Sequence, residues 1–324
     1  MKTRFLLFVL LICSFYLSAQ EYQHVDSLVD RYPSSFQSVE DLANRIEKDF
    51  TTDADKVRAA YYWIANHIQY DYENLQTGKS SYPTIKIKDF KSQEDYERQY
   101  YEQYATYVLT YKTGVCSGYS RLLFFLCEHM NIKAQVIKGN TLRYVKDIGK
   151  IKRETTHAWN AVYFNDQWNL IDATWSTGNE PNKPNHFDFT DVYFCITPEK
   201  MILNHFPKDP KWQLLKVPKS KIDFYKQPVS YTESLKANVS LDSSIKGVIR
   251  TKTNDSITLR FKEIDTTKVY YYNYARDKYG KKITIRKDGN DYIARIPFNG
   301  VKRDRLMLFS KEAAMFAFRI IPIR

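Results

Sequence analysis

Glycine and proline are scarce, ten and eleven in 324 residues, which excludes a collagen-like or low-complexity chain. Cysteine is scarcer still. The four present form no CxxC, and the sequence holds no HExxH and no acidic loop of the EF-hand type. A disulfide-stapled scaffold and a metal site of recognised spacing therefore both lack support. After the first twenty residues no apolar run is long enough to cross a bilayer, so no transmembrane span is expected. What the chain does have is apolar mass: 43% hydrophobic and 15% aromatic residues, over a length sufficient for two ordinary domains. Such a chain folds.

Residues 1–19 read as an export signal. Lys2 and Arg4 precede an apolar run from Phe5 to Leu17, and the small residues Ser18 and Ala19 follow. Cleavage is expected after Ala19, which directs the protein to a periplasm, a cell surface or the medium. Cys13 is not expected to carry a lipid, because bulky Ile12 precedes it where a small residue is wanted. The mature chain keeps Cys116, Cys127 and Cys195. Three is an odd number, so at least one is a free thiol.

Charge divides the mature chain near Pro218. Residues 20–218 hold 24 basic and 26 acidic side chains, whereas 219–324 hold 23 and 11, a net +12. Everything basic about the protein belongs to its last hundred residues, so nucleic acid is not an expected partner of the whole chain. An anionic envelope surface is a candidate partner for 219–324. Two domains are expected, 20–218 and 219–324.

In the first, Ser38 and Asp41 resemble a capping box, with Val39, Leu42, Ala43, Ile46 and Phe50 at helical spacing behind them. A second helix starts at Thr52 or Asp53 and carries Val57, Ala60, Tyr61, Ile64 and Ile68 on one face. A third, roughly 94–111, shows a tyrosine stripe (Tyr96, Tyr100, Tyr104, Tyr107, Tyr111) read as packing. A fourth runs from Val115 to Met130. Strands follow at 134–138, 157–164 and 168–172, with Asn165-Asp166 as a two-residue hairpin turn. This is an α+β pattern. Beyond Pro228, eight short alternating segments in about a hundred residues fit an all-β immunoglobulin-like sandwich.

The chemistry gathers at three positions. Cys116 opens the fourth helix, where unsatisfied N–H groups and the helix dipole favour a thiolate; such placement can bring a thiol from ~8.5 into the range of ~3.5–7.5. Cys127 falls within the apolar stripe and reads as a small buried hydrophobe, and Cys195 also reads as structural. A thiolate nucleophile needs a base, and His157 enters the first strand of the hairpin. If Asn165-Asp166 is the whole turn, Phe164 faces Gln167 and Trp159 faces Asp172. His157 shares a face with Trp159, so Asp172 lies diagonally beside it. A one-residue slip would send Asp172 to the other face. Nucleophile, base and orienter together outline a Cys116–His157–Asp172 triad.

The strings Gly114-Val115-Cys116-Ser117-Gly118-Tyr119, His157-Ala158-Trp159-Asn160 and Asp172-Ala173-Thr174-Trp175 resemble the three motifs of the transglutaminase-like superfamily, in order and spacing. Trp63-Ile64, Tyr70-Asp71, Phe194, Pro198, His205-Phe206-Pro207 and Trp212-Gln213-Leu214-Leu215 are similar to its kyphoscoliosis-peptidase-type branch, so the resemblance covers roughly 40–215. It implies a papain-like core and an exported thiol acyl-transfer enzyme acting on peptide or protein amides through a thioester, with Cys116 as nucleophile, His157 as base and Asp172 as orienter. No cofactor is implied. A protein-crosslinking transglutaminase and a non-catalytic peptide- or envelope-binding module are the alternatives on the same fold. His186 and His205, without a ligand-type neighbour at metal spacing, read as structural or loop residues.

Overall fold

The computed structural model describes residues 22–77, 82–178, 187–300, 302–311 and 313–323. The segment read as an export signal and His186 lie outside them. The chain divides into two compact units. One runs to Ile137 and resumes over Ala158–Cys195; the other comprises Lys138–His157 and Ile196–Arg324.

The helices of the first unit are α1 (Gln23–Val29), α2 (Val39–Asp49), α3 (Asp53–His67), α4 (Tyr72–Thr77), α5 (Gln93–Tyr111), α6 (Cys116–His129) and the short α7 (Ala173–Ser176). Three of them start on the same device: a hydroxyl three residues before an aspartate. Ser38 Oγ accepts from the Asp41 N–H at 3.0 Å, Thr52 Oγ1 from Asp55 at 3.1 Å and Ser92 Oγ from Asp95 at 3.1 Å. Each cap contributes about 1 kcal/mol and the aspartates suit the positive helix end. Tyr61, Trp63 and Ile64 of α3 pack with Leu122, Leu123 and Leu126 of α6 in one core. Burial of each such aliphatic chain stabilises by roughly 1.5–3 kcal/mol.

The tyrosine stripe of α5 is packing only in part. The buried face of that helix is Tyr104, Ala105, Val108 and Leu109, while Tyr111 is 64% exposed and Tyr96, Tyr100 and Tyr107 are half-buried. Four-residue spacing in a 3.6-residue helix drifts around the axis, so a stripe that starts on the rim of the core does not stay there.

A parallel two-stranded ladder joins β1 (Gln69–Tyr70) to β2 (Thr113–Gly114). A four-stranded sheet follows, β3 (Ala134–Thr141), β4 (His157–Phe164), β5 (Gln167–Ile171) and β6 (His205–Pro207), in the order β5-β4-β3-β6. The β4–β5 turn is Asn165-Asp166 as expected, with φ of 52° and 58°, the two left-handed positions that asparagine and aspartate tolerate best. Phe164 pairs with Gln167 and Asn160 with Ile171. The expected register holds.

The second unit contains α8 (Pro198–Met201), β7 (Val229–Ser230), α9 (Lys221–Lys226) and α10 (Thr232–Lys236) before its long strands. These are β8 (Ser240–Leu241), β9 (Val248–Lys252), β10 (Asp255–Glu263), β11 (Tyr270–Tyr274), β12 (Lys281–Lys282), β13 (Ile285–Asp288), β14 (Asp291–Phe298), β15 (Asp304–Ser310) and β16 (Ala313–Ile323). One sheet has the order β13-β14-β10-β8, the other β12-β11-β15-β16 with β7 and β9 on β16. Alternate residues of both sheets, among them Leu259, Ile296, Tyr272, Leu306 and Phe318, meet in a single core. Two sheets closing on one core form a sandwich, and the strand order is the immunoglobulin one, A-B-E-D against C-F-G. All eight expected strands are present; β12 is an addition. Among the described residues no helix is long and apolar enough to cross a membrane.

Candidate active site

Cys116 is the first residue of α6, after Val115 at the N-cap, and no side chain caps that end. The approach to it is rigid. Asp71 N–H donates to the Gly114 carbonyl at 3.0 Å and Gln69 N–H to the Lys112 carbonyl at 2.8 Å, so the end of α3 and the start of α6 are laced together through β1 and β2. Cys116 is half-buried. Beside it Ser117 Oγ donates to the Tyr82 hydroxyl at 2.8 Å and lies 3.4 Å from that of Tyr104. Burial of Tyr104 holds its phenol above the usual range. The three thiols differ as expected in one respect: Cys127 is fully buried, and burial drives its pKa upward. Cys116, Cys127 and Cys195 are all outside disulfides.

Gly118 has a different task from the open space that the sequence suggests. A Cβ there would stand 2.8 Å from Val108 Cγ2 and 3.0 Å from the Tyr104 hydroxyl, both on the buried face of α5. Glycine lets α5 and α6 close on each other just behind Cys116. Gly118→Ala is expected to destabilise the protein by about 1–3 kcal/mol, read by thermal or urea unfolding, because two buried neighbours must move. An unchanged midpoint would show that α5 yields freely.

Asp172 is fully buried and serves as N-cap of α7, its Oδ1 accepting from the Trp175 N–H at 3.0 Å. Its backbone is held as well: its N–H donates to the Tyr193 carbonyl at 3.0 Å, and its own carbonyl accepts from Ser176 Oγ at 2.9 Å. Tyr61, whose phenol is raised first of all by burial, donates to Ser176 Oγ at 2.6 Å. The carboxylate therefore sits on a fixed backbone.

His157 is the first residue of β4. With Asn160 opposite Ile171, continuation of the ladder sets Trp159 across from Asp172 and His157 one diagonal away. The hairpin delivers what its turn implied: His157, Asp172 and His205, on one four-stranded sheet, offer ligand or hydrogen-bonding atoms all within 4.8 Å of one another. Asn160 ties the hairpin to the cysteine helix, its buried amide donating to the Ser120 carbonyl at 2.9 Å, one turn beyond Cys116.

His205 is the residue that sequence reasoning underrated. Far from being a loop histidine, it opens β6 opposite Thr141, is fully buried, and has its ring centroid 5.3 Å from that of His157. Forty-odd residues separate the two in the chain, so no spacing rule could join them; the only mark was the string His205-Phe206-Pro207. A thiol at an uncapped helix start and a histidine beside a buried aspartate can exchange a proton and form a covalent acyl intermediate. Two imidazoles and a carboxylate are also the donor types that hold a divalent transition metal.

A helical core leading into a sheet that carries a His–Asp pair, followed by a β-rich region, describes a transglutaminase-like protein. Residues 40–173 match the transglutaminase-like superfamily, and the chain carries that domain. It is 25% identical to the kyphoscoliosis peptidase of Homo sapiens over 298 residues, 91% of this chain and 41% of that protein. To the kyphoscoliosis peptidase of Mus musculus it is 26% identical over 274 residues, 84% of this chain and 38% of that one. The chain thus spans about two fifths of the length of these relatives. A solved transglutaminase structure ("Crystal structure of a TGase") is 21% identical and covers 48% of this chain and 36% of its own, with a TM-score of 0.28.

Proposed function

We propose that this protein is an exported thiol acyl-transfer enzyme that hydrolyses peptide or protein amides. His157 takes the Cys116 proton as sulfur attacks the amide carbonyl, and the oxyanion is received by the Cys116 backbone N–H at the uncapped start of α6. Collapse of the tetrahedral intermediate breaks the C–N bond, with the proton passing from His157 to the leaving amine. Water, deprotonated by His157, then attacks the thioester; the acid leaves and the thiol regains its proton. Asp172 holds the imidazole in the tautomer that both steps require. The observation that carries this reading is the β4–β5 register, which sets a buried carboxylate beside the histidine. Incubation of the full chain with denatured envelope proteins should generate new peptide termini in mass spectra, absent with Cys116→Ala. Incorporation of a labelled primary amine in place of new termini would replace hydrolysis by crosslinking.

The same proposal extends to an anionic envelope surface as the partner of residues 219–324, supported by their net +12. The full chain should bind phosphatidylglycerol vesicles at low salt and leave them by about 0.5 M, where the Debye length falls to roughly 4 Å. Retention at high salt, or no binding at all, overturns the electrostatic anchor.

A further inference from the structure

We infer that His205 is a positioning residue for His157, an inference that rests on His157 acting as the base toward Cys116. Four observations within the second unit support it. His205 is held in the sheet by its pairing with Thr141 and is fully buried. Its Nδ1 lies 2.6 Å from Asn204 Oδ1. The Asn204 amide nitrogen faces the Ser230 carbonyl at 3.4 Å, which turns the amide oxygen toward the ring. The two histidine rings stand 5.3 Å apart with their planes inclined by 51°.

The consequences follow from the donor and acceptor inventory. Because Asn204 presents an acceptor, Nδ1 of His205 carries the hydrogen, and the ring cannot rotate without breaking that bond. A buried imidazole gains nothing by ionising where its hydrogen-bond partner is neutral. His205 is thus an uncharged, rotationally locked ring lying against His157, and it narrows the rotamers open to the base. Asn204 fixes His205, and His205 in turn fixes His157. A base displaced by an ångström loses up to about a hundredfold in rate, so a wall of this kind acts on function without touching substrate.

The rival explanation is that His205 merely fills space and satisfies Asn204. The two are separated by substitutions that move stability and rate differently, measured on the full chain by iodoacetamide alkylation of Cys116 at pH 6 alongside thermal unfolding. His205→Ala removes the ring and should slow alkylation by about tenfold. His205→Phe restores a ring against His157 while leaving Asn204 Oδ1 without its donor, so it should remain thermally destabilised yet recover most of the rate. Rates that simply follow the melting temperature in both variants overturn the inference. His157→Ala run in parallel keeps the two readings apart: if it does not slow Cys116, the base assignment itself falls. If it does, while His205→Ala alkylates at the unsubstituted rate, only the positioning role falls. Imidazole ¹⁵N spectra of the unsubstituted chain supply a test that depends on no variant folding. A neutral His205 protonated on Nδ1 is expected, and the Nε2-protonated tautomer would overturn the inference.

Discussion

Iodoacetamide at pH 6 is expected to alkylate Cys116 roughly tenfold faster than a free cysteine, and more than about 10⁴-fold faster than Cys127. The first figure combines two opposed effects. A thiol near ~8.5 is only about 0.3% thiolate at pH 6, whereas one lowered to about 6 is half ionised, a gain of roughly 150-fold. The less basic thiolate is intrinsically slower by about an order of magnitude, so a net factor near ten survives. Both the helix start and the His157 partner act in that direction. The second figure comes from burial. Cys127 is fully buried in the apolar face of α6, with its thiol held protonated by desolvation, so it reacts only when the unit opens. At a stability of about 5 kcal/mol the open fraction is on the order of 10⁻⁴. Peptide mapping of the labelled protein reads both rates, and comparable labelling of the two cysteines would remove Cys116 from the nucleophile's role.

Asp172→Asn is expected to lower hydrolysis of p-nitrophenyl acetate by about 10²–10⁴-fold with the fold retained. The separation of effects is possible because Asp172 does two things. Its Oδ1 caps α7 through the Trp175 N–H, and asparagine caps a helix about as well as aspartate. What asparagine cannot supply is the anion that accepts the histidine N–H and stabilises the imidazolium as it forms. Asp172→Ala should lose the cap as well, costing a further ~0.5–2 kcal/mol of stability. Unaltered turnover in the asparagine variant, with an unchanged far-UV spectrum, would reduce Asp172 to a structural cap.

Local patterns carried far in this chain. Ser38-Val39-Glu40-Asp41 and the apolar spacing behind it announce α2, and the cap is where the sequence puts it. The turn Asn165-Asp166 carries more: a two-residue loop leaves the hairpin one register, and that register alone brings Asp172 to the side of His157. Cys127 as core, and eight strands in the last hundred residues, were legible for the same reason. Each depends on neighbours within about one element's length, where periodicity and turn chemistry act directly on the backbone.

Other features depend on partners that no local pattern names. Gly118 reads as open space near a nucleophile, but Val108 and Tyr104, ten and fourteen residues earlier on another helix, occupy that space. Only the packing of α5 on α6 assigns the glycine to close helix approach. The tyrosine stripe of α5 is similar: its period is visible, yet which of those rings is covered depends on where α6 lies across it. His205 is the strongest case. Its strand is three residues long, too short for alternation to register, and its pairing with β3 joins positions more than sixty residues apart. By itself, then, the sequence determined the helices, the hairpin register and the Cys116–His157–Asp172 set, because short-range sterics and hydrogen bonding suffice for those. The tertiary structure alone decided which ring lies against His157 and which glycine admits a neighbouring helix, because those contacts form only when distant elements are folded together.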